Sequence, residues 1–313
     1  MTWRILISAP NFLPAVEDYR PQLEAEGLEF VIANVCERLS EEELFPRVST
    51  IDGAICGDDK FTERVLLQAP HLKVISKWGT GIDSIDTEAA TRLGIRVCNT
   101  PNAFSDCVAD SVLDYVLNFA RRLSWMDRDI REGKWIKRDA VTLGECTLGV
   151  VGVGNIGRAV VRRAVAFGMR VVGHDPVAVP QSFLAETGLD LVSMNKLLES
   201  SDFVTLHCNP NPTSYHLIGR SQLESMPPSA YLINTSRGPV VDEPALINAL
   251  RSGVIAGAAL DVFENEPLPS DSPLRKMNNC LLAPHNSHSG VAAKKWVHES
   301  TIANLLHGLK QAT

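Results

Sequence analysis

The sequence has no C-x-x-C pair, no basic tract and no apolar run of the roughly 20 residues that a membrane-spanning helix needs. Its seven cysteines (Cys36, Cys56, Cys98, Cys107, Cys146, Cys208 and Cys280) are odd in number and scattered. That excludes a disulfide framework and a zinc site, and it predicts reduced thiols packed as small core residues in a cytoplasmic protein. Lysine and arginine number 30 against 37 aspartates and glutamates, a net charge of −7. Such a balance offers no electrostatic ground for a nucleic acid or anionic membrane partner. The opening MTWRILISAP is short and already strand-like, so no signal peptide is expected. Repeats and low-complexity tracts are missing too, and the run Glu41-Glu42-Glu43 reads as a solvated helix start.

What remains is ordinary globular material: 45% hydrophobic and 21% charged residues over 313 positions, enough for two domains with their own cores. Short apolar runs alternate with helix-period segments. Arg4–Ser8, Glu29–Ala33, Gly53–Gly57, Lys73–Trp78 and Arg96–Thr100 read as five strands. Thr62–Gln68 and Thr87–Leu93 read as helices between them. A long helix over Asp110–Arg122 follows Pro101, placing a hinge near Thr100–Asn102. A second alternating block supplies six strands: Thr147–Val151, Arg170–His174, Phe203–His207, Ala230–Asn234, Ala256–Asp261 and Cys280–Ala283. Gly290–Leu309 reads as a final helix that returns to the first domain. The pattern predicts an α/β chain of two doubly wound parallel sheets, a Rossmann domain (102–287) inserted into a flavodoxin-like one (1–101 and 288–313).

The apolar strand TLGVVG runs into Gly152-Val153-Gly154-Asn155-Ile156-Gly157 and then into an amphipathic helix stopped by Gly168. G-x-G-x-x-G alone is weak, but here strand, turn, helix and a following acid all fit dinucleotide binding. Gly152 permits the tight turn, Gly154 lets a pyrophosphate approach the backbone, and Gly157 lets helix and strand pack closely. N–H groups near Asn155 and Ile156 would face the phosphates. Asp175 ends the next strand 18 residues after Gly157, placed to bind the adenosine ribose hydroxyls. Its charge would repel a 2′-phosphate, which favours NAD over NADP; a protonated His174 would offset that repulsion.

Ligands of an open parallel sheet bind beyond the carboxyl ends of its strands. Four successive ends are polar: Cys208-Asn209-Pro210, Thr235-Ser236-Arg237-Gly238, Asp261 to Pro267, and Pro284-His285-Asn286-Ser287-His288. An arginine can grip a carboxylate and polarise the adjacent carbonyl, a histidine can move a hydroxyl proton, and a carboxylate can orient that histidine.

With these residues in view, the chain resembles the D-isomer-specific 2-hydroxyacid dehydrogenases along nearly its whole length. The resemblance is carried by KWGTGIDSID (Lys77–Asp86), NTPNAFSDCVAD (Asn99–Asp110), TLGVVGVGNIG (Thr147–Gly157), INTSRGPVVDEPAL (Ile233–Leu246), AALDVFENEP (Ala258–Pro267) and LLAPHNS (Leu281–Ser287). It implies Arg237, Glu266 and His285 as catalytic residues. It implies a substrate cradle at Lys77, Trp78, Gly79, Thr80 and Asn102, joined by Arg237, in a cleft between the domains. Beyond the glycine turn and Asp175, it implies cofactor contacts at Val108, Cys208, Asn209, Thr235, Ser236, Asp261 and Ser287. Glu264 reads as a solvated loop charge beside Glu266. His288 lies past the family's acid–base position, and His207 reads as packed near the cofactor.

The sequence departs from the family at Asn102, where glycine is usual, at the polar loop Cys208–Asn211, and at Asn286-Ser287-His288. D-3-Phosphoglycerate is the first expected substrate, from the likeness of REGKWIKRDA…TLGECTLGVVGVGNIG to phosphoglycerate dehydrogenases and from the cations Lys77, Lys134, Lys137 and Arg138, which read equally well as surface charges. Hydroxypyruvate or glyoxylate reduction comes next. Formate oxidation is less expected, since that branch has Gln at the position of Glu266; phosphite oxidation uses a similar triad. No further C-terminal domain is expected, hence no feedback through one. An NAD-sensing corepressor is the reading of a different class. The resemblance also implies a homodimer through the NAD-binding domain, by way of Asp110–Arg122 and the segment to Ala140 with Trp125 and Trp135. Core packing of those tryptophans is the alternative.

Overall fold

Every strand lies parallel to its sheet neighbours in the computed structural model, which describes residues 2–311. Two compact units form: residues up to Ala103 with those from Gly290 onward, and Phe104–Ser289. The divisions lie at 103/104 and 289/290 rather than the expected 101/102 and 287/288. Asn102 and Ala103 prolong the turn that follows β-structure at Cys98, and the loop carrying His285 closes on itself through the Ser289 N–H donating to the Asn286 carbonyl at 2.9 Å.

The first unit opens β1 (Trp3–Ile7), α1 (Val16–Ala25), β2 (Leu28–Ile32), α2 (Glu41–Val48), β3 (Gly53–Cys56), α3 (Glu63–Leu66), β4 (Val74–Lys77), α4 (Thr87–Arg92) and β5 (Arg96–Cys98). Its sheet order β2-β1-β3-β4-β5 is the flavodoxin-like winding. The acidic run starts α2 as expected, with Ser40 and Glu43 closing a capping box. Asp86 caps α4 by accepting the Ala89 N–H at 2.9 Å. β3 and β4 are buried on both faces; β3 reads as an unbroken apolar run, whereas β4 buries Ser76 and Lys77 beside Val74 and Ile75.

The second unit comprises α5 (Ser105–Arg121), α6 (Leu123–Arg131), β6 (Thr147–Val151), α7 (Asn155–Ala166), β7 (Arg170–His174), α8 (Gln181–Thr187), β8 (Asp190–Leu191), α9 (Met194–Ser200), β9 (Phe203–Leu206), α10 (Arg220–Ser225), β10 (Tyr231–Asn234), α11 (Glu243–Ser252), β11 (Gly257–Leu260) and β12 (Cys280–Leu282). The final helix α12 (Val291–Gln311) packs on β3, β4 and β5 of the first unit. The second sheet is ordered β12-β11-β10-β9-β6-β7-β8, seven strands rather than the expected six. The extra strand, β8, has two exposed residues, so no apolar run announces it. α5 begins at Ser105, ahead of the expected Asp110; Phe104 stands at its cap with no side-chain cap hydrogen bond, so no polar cap marks that start in the sequence. Val204 and Leu232, wholly buried in this sheet's core, each contribute about 1.5–3 kcal/mol of apolar burial. Among the described residues no helix is long and apolar enough to cross a membrane.

Candidate active site

The glycine turn joins β6 to α7 in the second unit. Gly152 has φ +90°, and a Cβ there would stand 2.8 Å from the His207 backbone. A Cβ on Gly157 would stand 2.1 Å from the Gly152 carbonyl oxygen, so any larger residue would force helix from strand. Gly154, by contrast, faces open space. Asn155 begins α7 and accepts from Arg158 Nη2 at 2.6 Å, and Ile156 follows in the helix's first turn. At the end of β7, Asp175 accepts the Val153 N–H at 2.6 Å and the Val177 N–H at 2.7 Å. Its carboxylate is thereby locked against the turn. His174 is tied elsewhere, its Nδ1 lying 3.0 Å from the Val192 carbonyl.

At the end of β10, Asn234 and Thr235 are buried, and the Thr235 Oγ1 meets no hydrogen-bond partner among the described residues. The Ser236 N–H and hydroxyl both donate to Asn234 Oδ1, at 3.0 and 2.8 Å. Arg237 follows, with Nη1 donating to the Ser236 carbonyl at 2.9 Å. Gly238 then packs directly on the loop after β11: a Cβ there would fall 1.9 Å from the Phe263 carbonyl. This close approach seats the Arg237 loop on the loop that carries Glu266.

Glu266 Oε1 accepts the Phe263 N–H at 2.9 Å, and Oε2 lies 3.1 Å from His285 Nδ1. A carboxylate only accepts, so the proton of that pair sits on Nδ1 and Nε2 is the basic nitrogen. His285 has φ +49°, uncommon for a residue with a side chain. Asp261, 1% exposed, holds it there. The Asp261 carbonyl accepts the His285 N–H at 2.7 Å, while its carboxylate accepts the Asn286 and Ser287 N–H groups at 2.8 and 2.9 Å. The His288 ring stands edge-on to His285, centroids 6.1 Å apart, and against Phe104 at 5.1 Å.

Three readings from sequence change. Glu264 is no solvated charge: it lies 2.8 Å from His216 Nε2, accepts the Glu243 N–H at 3.2 Å, and donates its own N–H to Glu243 Oε2. His216 escaped notice because 48 residues separate it from Glu264 and no spacing rule links them. Lys134 and Arg138, counted as phosphate cations, are engaged by Glu132 and Asp129 at 2.6 Å each. Lys77 is buried and lies 3.1 Å from Asp58, with a further bond to the Trp78 carbonyl.

His207 is half-buried with its Nδ1 shut off from solvent, and desolvation holds its imidazole down at about 3, so it stays neutral and performs no acid–base work near neutral pH. Burial pushes the thiols of Cys56, Cys107, Cys146, Cys208 and Cys280 up, which keeps them protonated and unreactive. Val108 is buried on α5, which packs on α7, and the Asn209 carbonyl accepts the Ser214 hydroxyl at 2.7 Å.

In the first unit, the turn Trp78-Gly79-Thr80 follows β4. Gly79 has φ +122°, and its carbonyl accepts the Thr100 N–H at 2.8 Å. Thr80 Oγ1 donates to the Thr100 carbonyl at 2.9 Å and Asn99 Nδ2 to the Thr80 carbonyl at 2.5 Å. Asn102 has φ +63°, a left-handed conformation that asparagine and glycine both tolerate, which accounts for asparagine at the position where the family resemblance implies glycine.

The second unit fits a dinucleotide: an open space over Gly154, an acid locked at the turn, and a buried hydroxyl lacking a partner at Thr235. The comparisons agree. The sequence profile of the D-isomer specific 2-hydroxyacid dehydrogenase NAD-binding domain matches residues 113–287. A glyoxylate reductase of Korarchaeum cryptofilum is 41% identical, aligned over 85% of this chain and 82% of its own. A D-3-phosphoglycerate dehydrogenase of Methanocaldococcus jannaschii is 40% identical over 83% of this chain, but over only 50% of its own length. The crystal structure of a D-lactate dehydrogenase of Aquifex aeolicus, complexed with NAD and lactic acid, superposes with a TM-score of 0.85 at 27% identity, covering 96% of this chain and 93% of that one. The chain thus belongs to the D-isomer-specific 2-hydroxyacid dehydrogenases, NAD-dependent oxidoreductases of CH–OH groups.

Proposed function

We propose that this enzyme interconverts a small D-2-hydroxy acid and its 2-oxo acid, with Arg237, Glu266 and His285 as the catalytic residues. The observation that carries the assignment is the Glu266–His285 pair at 3.1 Å, held by the buried Asp261 clamp. NAD, when bound, supplies the hydride chemistry; the chain's residues bind, orient and move the proton. His285 Nε2 takes the substrate hydroxyl proton during oxidation and returns it during reduction. Glu266 favours the imidazolium by its adjacent negative charge. Arg237 grips the carboxylate and polarises the carbonyl, and the backbone N–H groups of Gly79 and Thr80 are assigned to the carboxylate, the Trp78 N–H being held by the Cys56 carbonyl at 2.9 Å. Asn155, Ile156, Thr235, Ser236, Asp261 and Ser287 are assigned to the cofactor along with the glycines.

For the substrate, glyoxylate or hydroxypyruvate now precedes 3-phosphoglycerate. Lys77, Lys134 and Arg138 are spent in ion pairs, leaving less cationic surface for a phosphate. The glyoxylate reductase relative also aligns over most of its own length. 3-Phosphoglycerate stays as the second reading on the strength of the motif likeness and the 40% identical relative. An NADH-oxidation panel of glyoxylate, hydroxypyruvate, 3-phosphohydroxypyruvate and pyruvate tests both. Binding of NADH without turnover of any member would refute the functional assignment.

Asp175 should set cofactor choice. Asp175→Ala is expected to shift the NAD/NADP ratio of kcat/KM toward NADP by about tenfold or more, the scale of one unfavourable charge contact removed. An unmoved ratio would show that another group discriminates. A homodimer through the second unit is also proposed. Leu123, Ile130, Trp135 and Ile136 are 65%, 53%, 85% and 48% exposed along α6 and the following segment, an apolar surface that association would cover. Sedimentation should give about twice 34.2 kDa, and Trp135→Glu should lower it.

A further inference from the structure

Trp78 and His298 are 220 residues apart in sequence and share one buried hydrogen bond, the indole Nε1–H donating to His298 Nδ1 at 3.0 Å. Trp78 is 5% exposed and His298 9%. The imidazole is packed by Phe12 at 5.2 Å, Trp78 at 5.7 Å and Tyr19 at 5.9 Å between ring centroids. The bond belongs to a row. From the same helix, Thr301 accepts Ser76 Oγ through its carbonyl at 2.8 Å, Ser300 Oγ accepts the Thr100 hydroxyl at 3.0 Å, and Asn304 Nδ2 donates to the Asn99 carbonyl at 3.1 Å. α12 therefore grips both sides of the Trp78-Gly79-Thr80 turn, on β4 and on the segment after β5. A tryptophan N–H can only donate, so His298 must keep Nδ1 unprotonated to hold it.

We propose that His298 is a positioning residue for the substrate carboxylate: as a neutral acceptor it fixes Trp78, and through Trp78 the backbone N–H groups that follow, and its protonation weakens substrate binding in acid. The proposal rests on the assignment of that turn to the substrate. Desolvation, then the Lys294 ammonium, lowers the His298 titration below the ordinary imidazole range, against an opposing pull from Glu299. From α1, the Tyr19 hydroxyl is the titratable group beside it, itself raised by burial. On β4, the neighbouring Lys77 ammonium is engaged by Asp58. The sign follows: the neutral imidazole persists at pH 7, stabilisation from it is lost as pH falls below about 6.5 toward the lower folded value, and the bond to Trp78 breaks only there.

The test pairs kinetics with a readout on the protein without substrate. His298→Leu should raise KM for every 2-oxo acid that is turned over by about tenfold, with kcat and the Kd for NADH within about twofold. His298→Gln, whose amide oxygen can accept from the indole, should recover most of the loss. In the wild type KM should climb as pH falls below the ordinary imidazole range, and in the Gln variant it should not. The indole N–H resonance of Trp78, assigned by its loss in Trp78→Phe, should be protected from exchange at pH 8 and lose protection over the same acid range. An unchanged KM in a Leu variant of wild-type Tm overturns the proposal, as does an equal loss in kcat and NADH binding. Should the Leu variant not fold, the wild-type and Gln pH profiles decide in the same way. Turnover with an unmoved KM sinks this proposal alone; a wild type inactive on all 2-oxo acids sinks the functional assignment first, and the substrate role of His298 with it.

Discussion

His285→Ala is expected to lower kcat by about 10²–10⁴-fold, the usual contribution of a placed acid–base group, while NADH binds with a Kd within about twofold of wild type. The substitution removes the nitrogen proposed to carry the substrate proton and leaves the glycine turn and Asp175 untouched. Steady-state turnover and NADH fluorescence titration measure the two quantities separately. Full turnover in the variant would mean that another group moves the proton; the adjacent imidazole of His288, ring centroid 6.1 Å away, would then be the next to substitute. Loss of NADH binding together with kcat would instead mark His285 as a residue that holds the loop.

Glu266→Gln should have the second largest effect. The amide keeps the shape and can still accept the Phe263 N–H, a bond of 2.9 Å in the wild type, but the charge beside His285 is gone. Without it the imidazolium is less favoured, so reduction, which consumes that proton, should begin to fail at lower pH than in the wild type. At neutral pH a loss of about ten- to a hundredfold in kcat/KM for reduction is expected, the scale of a charge-assisted hydrogen bond of 1.5–3 kcal/mol. Oxidation should suffer less at high pH, where the imidazole is neutral in either protein. A uniform loss in both directions at every pH would show that Glu266 acts only by placing the ring.

The distribution of legible and hidden features has a physical cause. Hydrophobic period is local, so β3, β6, β9 and β10, buried along most or all of their length, stood out as mainly apolar runs. β8, with both residues exposed, left no such trace. The start of α5 was placed late because Phe104 at its cap carries no polar signal. Motif spacing was likewise enough to point to the glycine turn, and the family resemblance singled out Arg237, Glu266 and His285 as candidates, since both act on contiguous residues.

Charges were less legible, because a lysine or glutamate in a string of letters carries no record of its partner. Lys77, Lys134 and Arg138 read equally as phosphate cations or surface charges, and only the structure set Asp58, Glu132 and Asp129 against them. Glu264 looked solvated until His216 and Glu243 closed on it. From spacing and composition alone came two parallel α/β sheets, a dinucleotide turn, and four polar loop ends in succession. The three-dimensional arrangement added what depends on distant chain segments meeting: the Asp261 clamp that holds His285 at positive φ, the Gly238 contact that seats Arg237 beside the Glu266 loop, and the α12 row that grips the Trp78 turn from more than 200 residues away in the chain. Hydrogen bonds form wherever folding brings donor and acceptor together, and sequence separation enters only as an entropy of loop closure that grows slowly with length; no local pattern can therefore announce them.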